Sequence, residues 1–168
     1  MIIFVDTREQ LPYRFANVRP RRKDRAAIMV TTVPAGDYAT VVDDEIHAPL
    51  SQRLTTGISI ERKSLQDLYG SMRNKLGRVR FRAKLEKMKA YGYSGLVVEA
   101  TWDQIIEPNA HLAHPTKLNP RSVVSALVTW TQEFNVHVFT CPGREFAEQV
   151  TYRLLENWYL KKGCKCVA

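Results

Sequence analysis

The apolar residues of this chain change their spacing about half-way along it. Early on they come as short, β-branched runs. Residues 2–5 form a continuous apolar stretch that reads as a buried strand, and 28–33 and Tyr38 to Val42 read as two more. Pro34-Ala35-Gly36-Asp37 supplies a turn between the latter two, and Asp43-Asp44 a hairpin turn after them. A fourth strand covers 58–63. Ser64, with Asp67 three positions on, has the form of a capped helix start. From about 79 to 91, Phe81, Leu85 and Met88 recur at helical spacing, while Arg78, Arg82 and Lys89 follow another line of the same helix. Residues 96–99 read as a buried strand. Thr101 and Gln104 open a short helix that ends before Pro108, and 109–119 form a polar loop. Pro120 starts a helix carrying Val123, Val124, Leu127, Val128 and Phe134. Val136 to Thr140 is a last strand, and Phe146, Val150, Leu154 and Trp158 recur every four residues along a final helix that ends near Gly163. A strand-rich first half followed by alternating strands and helices predicts an α/β fold, with a central mixed β-sheet flanked by helices.

Composition narrows the class. The chain has 168 residues, 45% hydrophobic and 25% charged, which suits one domain with a sizeable core. We expect that domain to span 1–163 and to be followed by a short tail, 164–168. No apolar run approaches the ~18 residues of a membrane span. The first residues lack the basic segment of a signal peptide, so no membrane association and an intracellular location are expected. Three cysteines, odd in number, make no disulfide framework. Cys164 and Cys166 read as part of a tail and not as a zinc site, and His111 and His114 as loop residues and not as metal ligands.

The net charge of +8 is unevenly spread. Residues 14–25 hold six basic side chains (Arg14, Arg19, Arg21, Arg22, Lys23, Arg25) against Asp24. Residues 73–89 hold eight (Arg73, Lys75, Arg78, Arg80, Arg82, Lys84, Lys87, Lys89) against Glu86, and the remainder of the chain is net acidic. Concentrated positive charge is the footprint expected for a polyanion such as nucleic acid; a solvated helix face is the plainer reading. From the two clusters, Arg19, Arg21, Arg22, Lys23, Arg73, Lys75, Arg78, Arg80 and Arg82 are the candidate nucleic-acid contacts.

The chemistry concentrates at Glu61-Arg62-Lys63. In a strand, Glu61 and Lys63 point to the same face as Ser59, while Ile58, Ile60 and Arg62 point to the other. A carboxylate beside an ammonium, with a second carboxylate, Asp37, delivered from a neighbouring strand, suits metal-assisted phosphodiester hydrolysis. Carboxylates hold a hard divalent cation through oxygen, and a lysine can orient water or stabilise charge on phosphate.

Val5-Asp6-Thr7-Arg8-Glu9, Gly36-Asp37-Tyr38 and Glu61-Arg62-Lys63-Ser64-Leu65-Gln66-Asp67 form an ordered set. With Arg80-Phe81-Arg82, Met88, Tyr91 and Leu96-Val97-Val98-Glu99 behind it, the chain resembles the XPF-type (ERCC4-like) structure-specific endonuclease domain of the PD-(D/E)XK nuclease superfamily over nearly its whole length. The resemblance implies a restriction-endonuclease-like fold and a divalent-metal-dependent DNA endonuclease using Mg²⁺ or Mn²⁺. By the same resemblance Asp37 and Glu61 are metal ligands, with the main-chain carbonyl of Arg62 as a third, and Lys63 acts on the nucleophilic water. Asp6 adds a carboxylate near the metal, Arg8 faces a phosphate, and Asp67 completes the site. Several of these residues have plainer readings: Asp67 as part of a helix cap, Asp6 as a turn former, Arg8 as a salt-bridge partner.

Members of the family usually carry a helix-hairpin-helix domain after the nuclease. None is expected here, nor a helicase-like region before it. The first expectation is therefore an enzyme that cuts branched or flapped DNA. The rivals are a non-catalytic DNA-binding or scaffolding partner on the same fold, and an RNA-directed nuclease. Family members pair through C-terminal helices, so the stripes at 123–134 and 146–158 form a homodimer or heterodimer interface or pack on their own sheet.

Overall fold

The computed structural model describes residues 1–21, 26–41 and 49–163; Arg22 and Lys23, the Asp43-Asp44 turn and the 164–168 tail lie outside them. The strands are β1 (Ile2–Asp6), β2 (Ala27–Thr31), β3 (Tyr38–Thr40), β4 (Ile58–Ser64), β5 (Tyr93–Glu99) and β6 (Val136–Thr140). The helices are α1 (Leu50–Thr56), α2 (Leu65–Met72), α3 (Lys75–Met88), α4 (Trp102–Ile106), α5 (Pro120–Phe134) and α6 (Arg144–Gly163), with a 3₁₀ turn at Pro108–Ala110.

The strands form one sheet in the order β2-β1-β3-β4-β5-β6. β3 runs antiparallel to both β1 and β4, and the pairs β1–β2, β4–β5 and β5–β6 are parallel. Alternation splits each central strand between two cores. Phe4, Ala39, Leu96 and Val98 face α2, α3, α4 and α5, whose Leu68, Phe81, Leu85, Ile105, Leu127 and Trp130 close that side. Ile3, Val5, Tyr38, Ile58, Ile60 and Val97 face the other way, against Tyr13 and the Ala147, Tyr152 and Leu155 line of α6. The expected mixed sheet between helical layers is therefore the observed architecture.

Local chemistry explains the element ends. Ser64 caps α2 by accepting from the Asp67 amide (3.1 Å), and Asn74 caps α3 by accepting from the Gly77 amide (2.8 Å). That second cap starts α3 at Lys75, four residues before the helix expected from the apolar stripe alone. Thr101 and Gln104 form a reciprocal capping box on α4. α1 was not expected: its N-cap position is Pro49, with no side-chain cap, and its seven residues hold only two leucines. β2 is an edge strand with Ile28, Met29 and Val30 all exposed.

The two apolar stripes settle unequally: that of α5 takes one of the two expected arrangements, and that of α6 is shifted along the helix surface. In α5 the buried line is Val123, Leu127, Trp130 and Phe134, packed on the chain's own sheet, and Val128 is exposed. In α6 the buried line is Ala147, Thr151 and Leu155, displaced by one residue from Phe146, Val150, Leu154 and Trp158. Phe146 is half exposed, and Val150, Leu154 and Trp158 are partly buried.

Candidate functional site

The Gly36-Asp37 turn is stitched into the middle of the sheet. Gly36 has φ +83°, and a Cβ there would lie 2.2 Å from Ser59 Oγ and 3.1 Å from the Ile60 carbonyl, so only glycine fits. Ser59 Oγ in turn donates to the Ala35 carbonyl (2.7 Å). The Asp37 amide donates to the Ile60 carbonyl (2.8 Å), and its carbonyl accepts from the Asp6 amide (2.9 Å). The backbone of β1 and that of β4 therefore both fix Asp37. Its Oδ2 accepts from the Arg62 amide at 2.8 Å.

Glu61 and Lys63 lie on the α3 side of β4, as alternation requires. Glu61 is 1% exposed, and Lys63 Nζ stands 3.5 Å from its Oε1. Lys63 also lies over the Phe81 ring, 4.7 Å from its centroid, which keeps the ammonium directed along the site. Burial pushes the Glu61 carboxyl well above the ordinary range, and the facing Asp37 charge adds to this; Lys84 and Lys63 only partly oppose it.

The sequence did not single out Lys84 for this site, yet it is central there. Its Nζ lies 2.5 Å from Glu61 Oε2 and 3.2 Å from Asp37 Oδ1. Burial alone would lower the Lys84 pKa; the charges of Glu61 and Asp37 more than reverse that and raise it. The helical line that reaches the site is Arg80, Lys84 and Lys87, at i, i+4 and i+7, beside the apolar stripe of Phe81, Leu85 and Met88. A groove of about 490 Å³ opens here, lined in part by Arg8, Lys63, Phe81 and those three basic residues.

Asp6 and Arg8 form a separate clamp. Asp6 Oδ1 accepts from the Arg8 amide (2.8 Å) and Nε (2.6 Å), and Oδ2 accepts from an Arg8 terminal nitrogen (2.9 Å) and the Val33 amide (2.7 Å). Burial would raise the Asp6 carboxyl, but the Arg8 and Val33 bonds outweigh it and hold the group below the usual range. Four donors saturate this carboxylate, so its evident task is to hold Arg8. The Arg8 guanidinium is 64% exposed at the groove and feels the charges of Asp37 and Glu61. Asp67 is exposed, and its Oδ2 accepts from Ser64 Oγ (2.7 Å), the helix-cap role.

Arg62 points to the opposite face. Its guanidinium donates to Glu99 Oε1 (2.7 Å) and Oε2 (2.8 Å), reaches Glu9 (3.3 Å), and lies over Tyr13. Tyr13 donates to Glu99 (2.8 Å), and Arg144 covers the other end of the cluster. Glu99, at the end of β5, belongs to this structural cluster.

The basic candidates divide. Arg80 lines the groove, and Arg73 and Lys75 are exposed at the α2–α3 junction. Arg78 Nε donates to the Met72 carbonyl (2.9 Å), and Arg82 pairs with Glu133 of α5 and lies over Phe134, so both tie helices together. Arg21 bonds Glu156 and Asn157 of α6, and the Arg19 carbonyl accepts from Arg153. Arg19 and Arg21 therefore sit with α6, across the sheet from Glu61. Among the described residues, no group of three or more His, Cys, Asp or Glu side chains could hold a metal, and no helix is long and apolar enough to cross a membrane.

The fold is an α/β domain of the restriction-endonuclease-like type, a mixed six-stranded sheet flanked by helices. The family model described as the ERCC4 domain matches residues 5–154, and the chain belongs to that family. Among solved structures it is similar to XPF from Aeropyrum pernix, at 14% identity and a TM-score of 0.58, over 98% of this chain and 66% of that one. It is also similar to XPF from Aeropyrum pernix in complex with DNA, at 15% identity and a TM-score of 0.55, over 99% of this chain and 67% of that one. These identities speak to the fold. The curated proteins searched hold no match to the sequence.

Proposed function

We propose that the protein is a divalent-metal-dependent DNA endonuclease acting on branched or flapped DNA, with Asp37 and Glu61 holding Mg²⁺ or Mn²⁺ and the Arg62 carbonyl as a third ligand. The observation that carries this reading is convergence: Asp37 Oδ1 and Glu61 Oε2 share one cationic atom, at 3.2 and 2.5 Å. The donor set is two carboxylates, the hard oxygen ligands these ions prefer, and Mg²⁺ uses few of them because it keeps several waters. Glu61 Oε2 is buried and faces the Lys84 ammonium at 2.5 Å, so positive charge already occupies the place beside it that a metal ion would take. When bound, the ion supplies a Lewis-acidic centre that acidifies water and neutralises charge on the phosphate.

The chain's own groups do the rest. Arg8, held by Asp6, presents its guanidinium to a phosphate entering the groove, where planar donors recognise such oxygens. Lys63 Nζ, placed by Glu61 and Phe81, orients the attacking water and stabilises the charge that grows as the water oxygen bonds to phosphorus and the P–O ester bond breaks. Arg80 and Lys87 hold the flanking backbone. DNA is thus the partner, and the α6 face of the half-exposed Phe146 and the partly buried Val150 and Leu154 is the proposed pairing surface with a second nuclease-like chain.

The test is incubation with Mg²⁺ or Mn²⁺ and labelled flap, fork, duplex and ribose-substituted DNAs, with chelator controls. Cleavage of branched substrates that disappears in Asp37→Asn is expected. Tight binding in chelator with no cleavage under any metal would turn the assignment to a DNA-binding module, a reading favoured by Lys84 standing where a cation would.

A further inference from the structure

The carboxylates and Lys84 are mounted on different elements. Asp37 and Glu61 are fixed by the sheet: the backbone of β1 and β4 brackets Asp37, and Glu61 lies within the paired part of β4. Lys84 reaches them from α3 on a flexible four-carbon stem, and its side chain is 33% exposed, open to the groove that Arg8, Arg80 and Lys87 line. Lys84 Nζ lies 2.5 Å from Glu61 Oε2 and donates to Asp37 Oδ1 at 3.2 Å, so one ammonium is shared by the two carboxylates. Two buried carboxylates facing each other without a cation would repel strongly at this depth. An ammonium and a divalent ion, both attracted to the same two oxygens, would repel each other as strongly.

We infer that Lys84 is a displaceable resident counter-ion. This rests on the reading of Asp37 and Glu61 as metal ligands. In the metal-free protein its Nζ neutralises the acid pair and keeps the sheet's centre stable. Entry of a divalent ion turns the ammonium out into the groove, where a DNA phosphate is its next partner. Metal loading and phosphate binding are thereby coupled through one side chain: each makes the other easier, and the free protein holds metal weakly. Lys84 acts here as a positioning residue. No bond is made or broken in the exchange, only the partner of one charge.

The experiment measures Mn²⁺ binding to the full chain without DNA, by the loss of the free-ion paramagnetic resonance signal, for the parent, Lys84→Met, Lys84→Gln and Asp37→Asn. Thermal melting is followed with and without Mn²⁺. Lys84→Met and Lys84→Gln are expected to bind Mn²⁺ at least tenfold more tightly than the parent. They should melt lower without metal and gain more on adding it. A duplex with cleavage-resistant phosphorothioate linkages should tighten Mn²⁺ binding more for the parent than for Lys84→Met, and equal tightening in the two overturns the coupling through Lys84. Equal or weaker Mn²⁺ binding by both variants, with Asp37→Asn binding none, overturns the counter-ion role and leaves the metal reading standing. No binding by any chain overturns both. If both variants unfold without metal, refolding on adding Mn²⁺ supports the inference, and failure to refold refutes it.

Discussion

The main-chain amide of Arg62 donates to Asp37 Oδ2 at 2.8 Å, so the strand that carries Glu61 also orients the other carboxylate. One residue thus serves both faces of β4. Its amide works at the acid pair, while its guanidinium closes the Glu9, Glu99 and Tyr13 cluster on the far side. The amide remains whatever side chain stands at 62. Asp37→Asn keeps an acceptor for it and should fold normally. On the proposed mechanism, cleavage of flap DNA by Asp37→Asn or Lys63→Ala should fall at least ~100-fold, as when a transition-state contact is removed. Near-parental cutting in either variant would reject the assigned roles.

Gly36→Ala should cost stability out of proportion to one methyl. The positive φ and the 2.2 Å approach to Ser59 Oγ act together, and the rigid Ile60 carbonyl blocks the alternative direction. A loss of about 2–4 kcal/mol in urea unfolding is expected, from strain plus displaced packing. Gly70→Ala, where a Cβ meets nothing within 4 Å, is the matched control and should be neutral or stabilising.

The Glu99 carboxyl sets an acid-sensitive term. Burial raises its pKa, but the Arg62 and Tyr13 hydrogen bonds prevail and hold it below the ordinary glutamate value of 4.5. A depressed folded-state pKa gives stability that is present above 4.5 and lost as pH falls through the folded value. Glu99→Gln should therefore be less stable than the parent near neutrality, by about 3 kcal/mol for a broken buried pair, and its stability should vary less with pH below 4.5. Parallel pH profiles of unfolding free energy for the two proteins would refute this.

DNA binding should separate the basic residues by layer. Arg80→Ala and Lys87→Ala, in the groove, are each expected to lower the salt-dependence slope by about 1, the loss of one phosphate contact. Arg19→Ala and Arg21→Ala, on the α6 side, should leave the slope unchanged. Arg82→Ala should reduce thermal stability through Glu133 and Phe134 instead. A drop in slope for the Arg19 and Arg21 variants would restore the sequence-based expectation for that segment.

Phe146→Glu combined with Leu154→Glu is expected to abolish concentration-dependent self-association in light scattering, with folding intact because the buried α6 line is Ala147, Thr151 and Leu155. Association unchanged by the double variant would place any pairing elsewhere.

What could be read from sequence was what has a period or a fixed local grammar. The β4-to-α2 junction, the capping box at Thr101 and Gln104 and the Pro120 helix start all lie where their residues put them. The α6 stripe slipped by one residue because aromatic and small side chains compete for the same face, and Ala147 and Thr151 let the helix approach the sheet more closely than Phe146 would. α1 left no trace, having neither cap nor stripe. Lys84 was hidden for another reason. Pattern reading treats a lysine on a charged helix face as solvated, and only tertiary contact shows that this one turns inward. Asp6 misleads in the opposite sense: a carboxylate at a strand end before Arg8 looks available, yet four donors occupy it.

The peptide bonds on either side of the Asp37 side chain are shared with two strands, through the Asp6 amide and the Ile60 carbonyl. Its amide hydrogen should be among the slowest in the molecule to trade with solvent, since releasing it means opening the sheet at its centre. An acid pair moored in this way has little room to adapt to a substrate. Accommodation falls to α3, so small changes in that helix's seating would retune the centre without altering any residue that bears the negative charge.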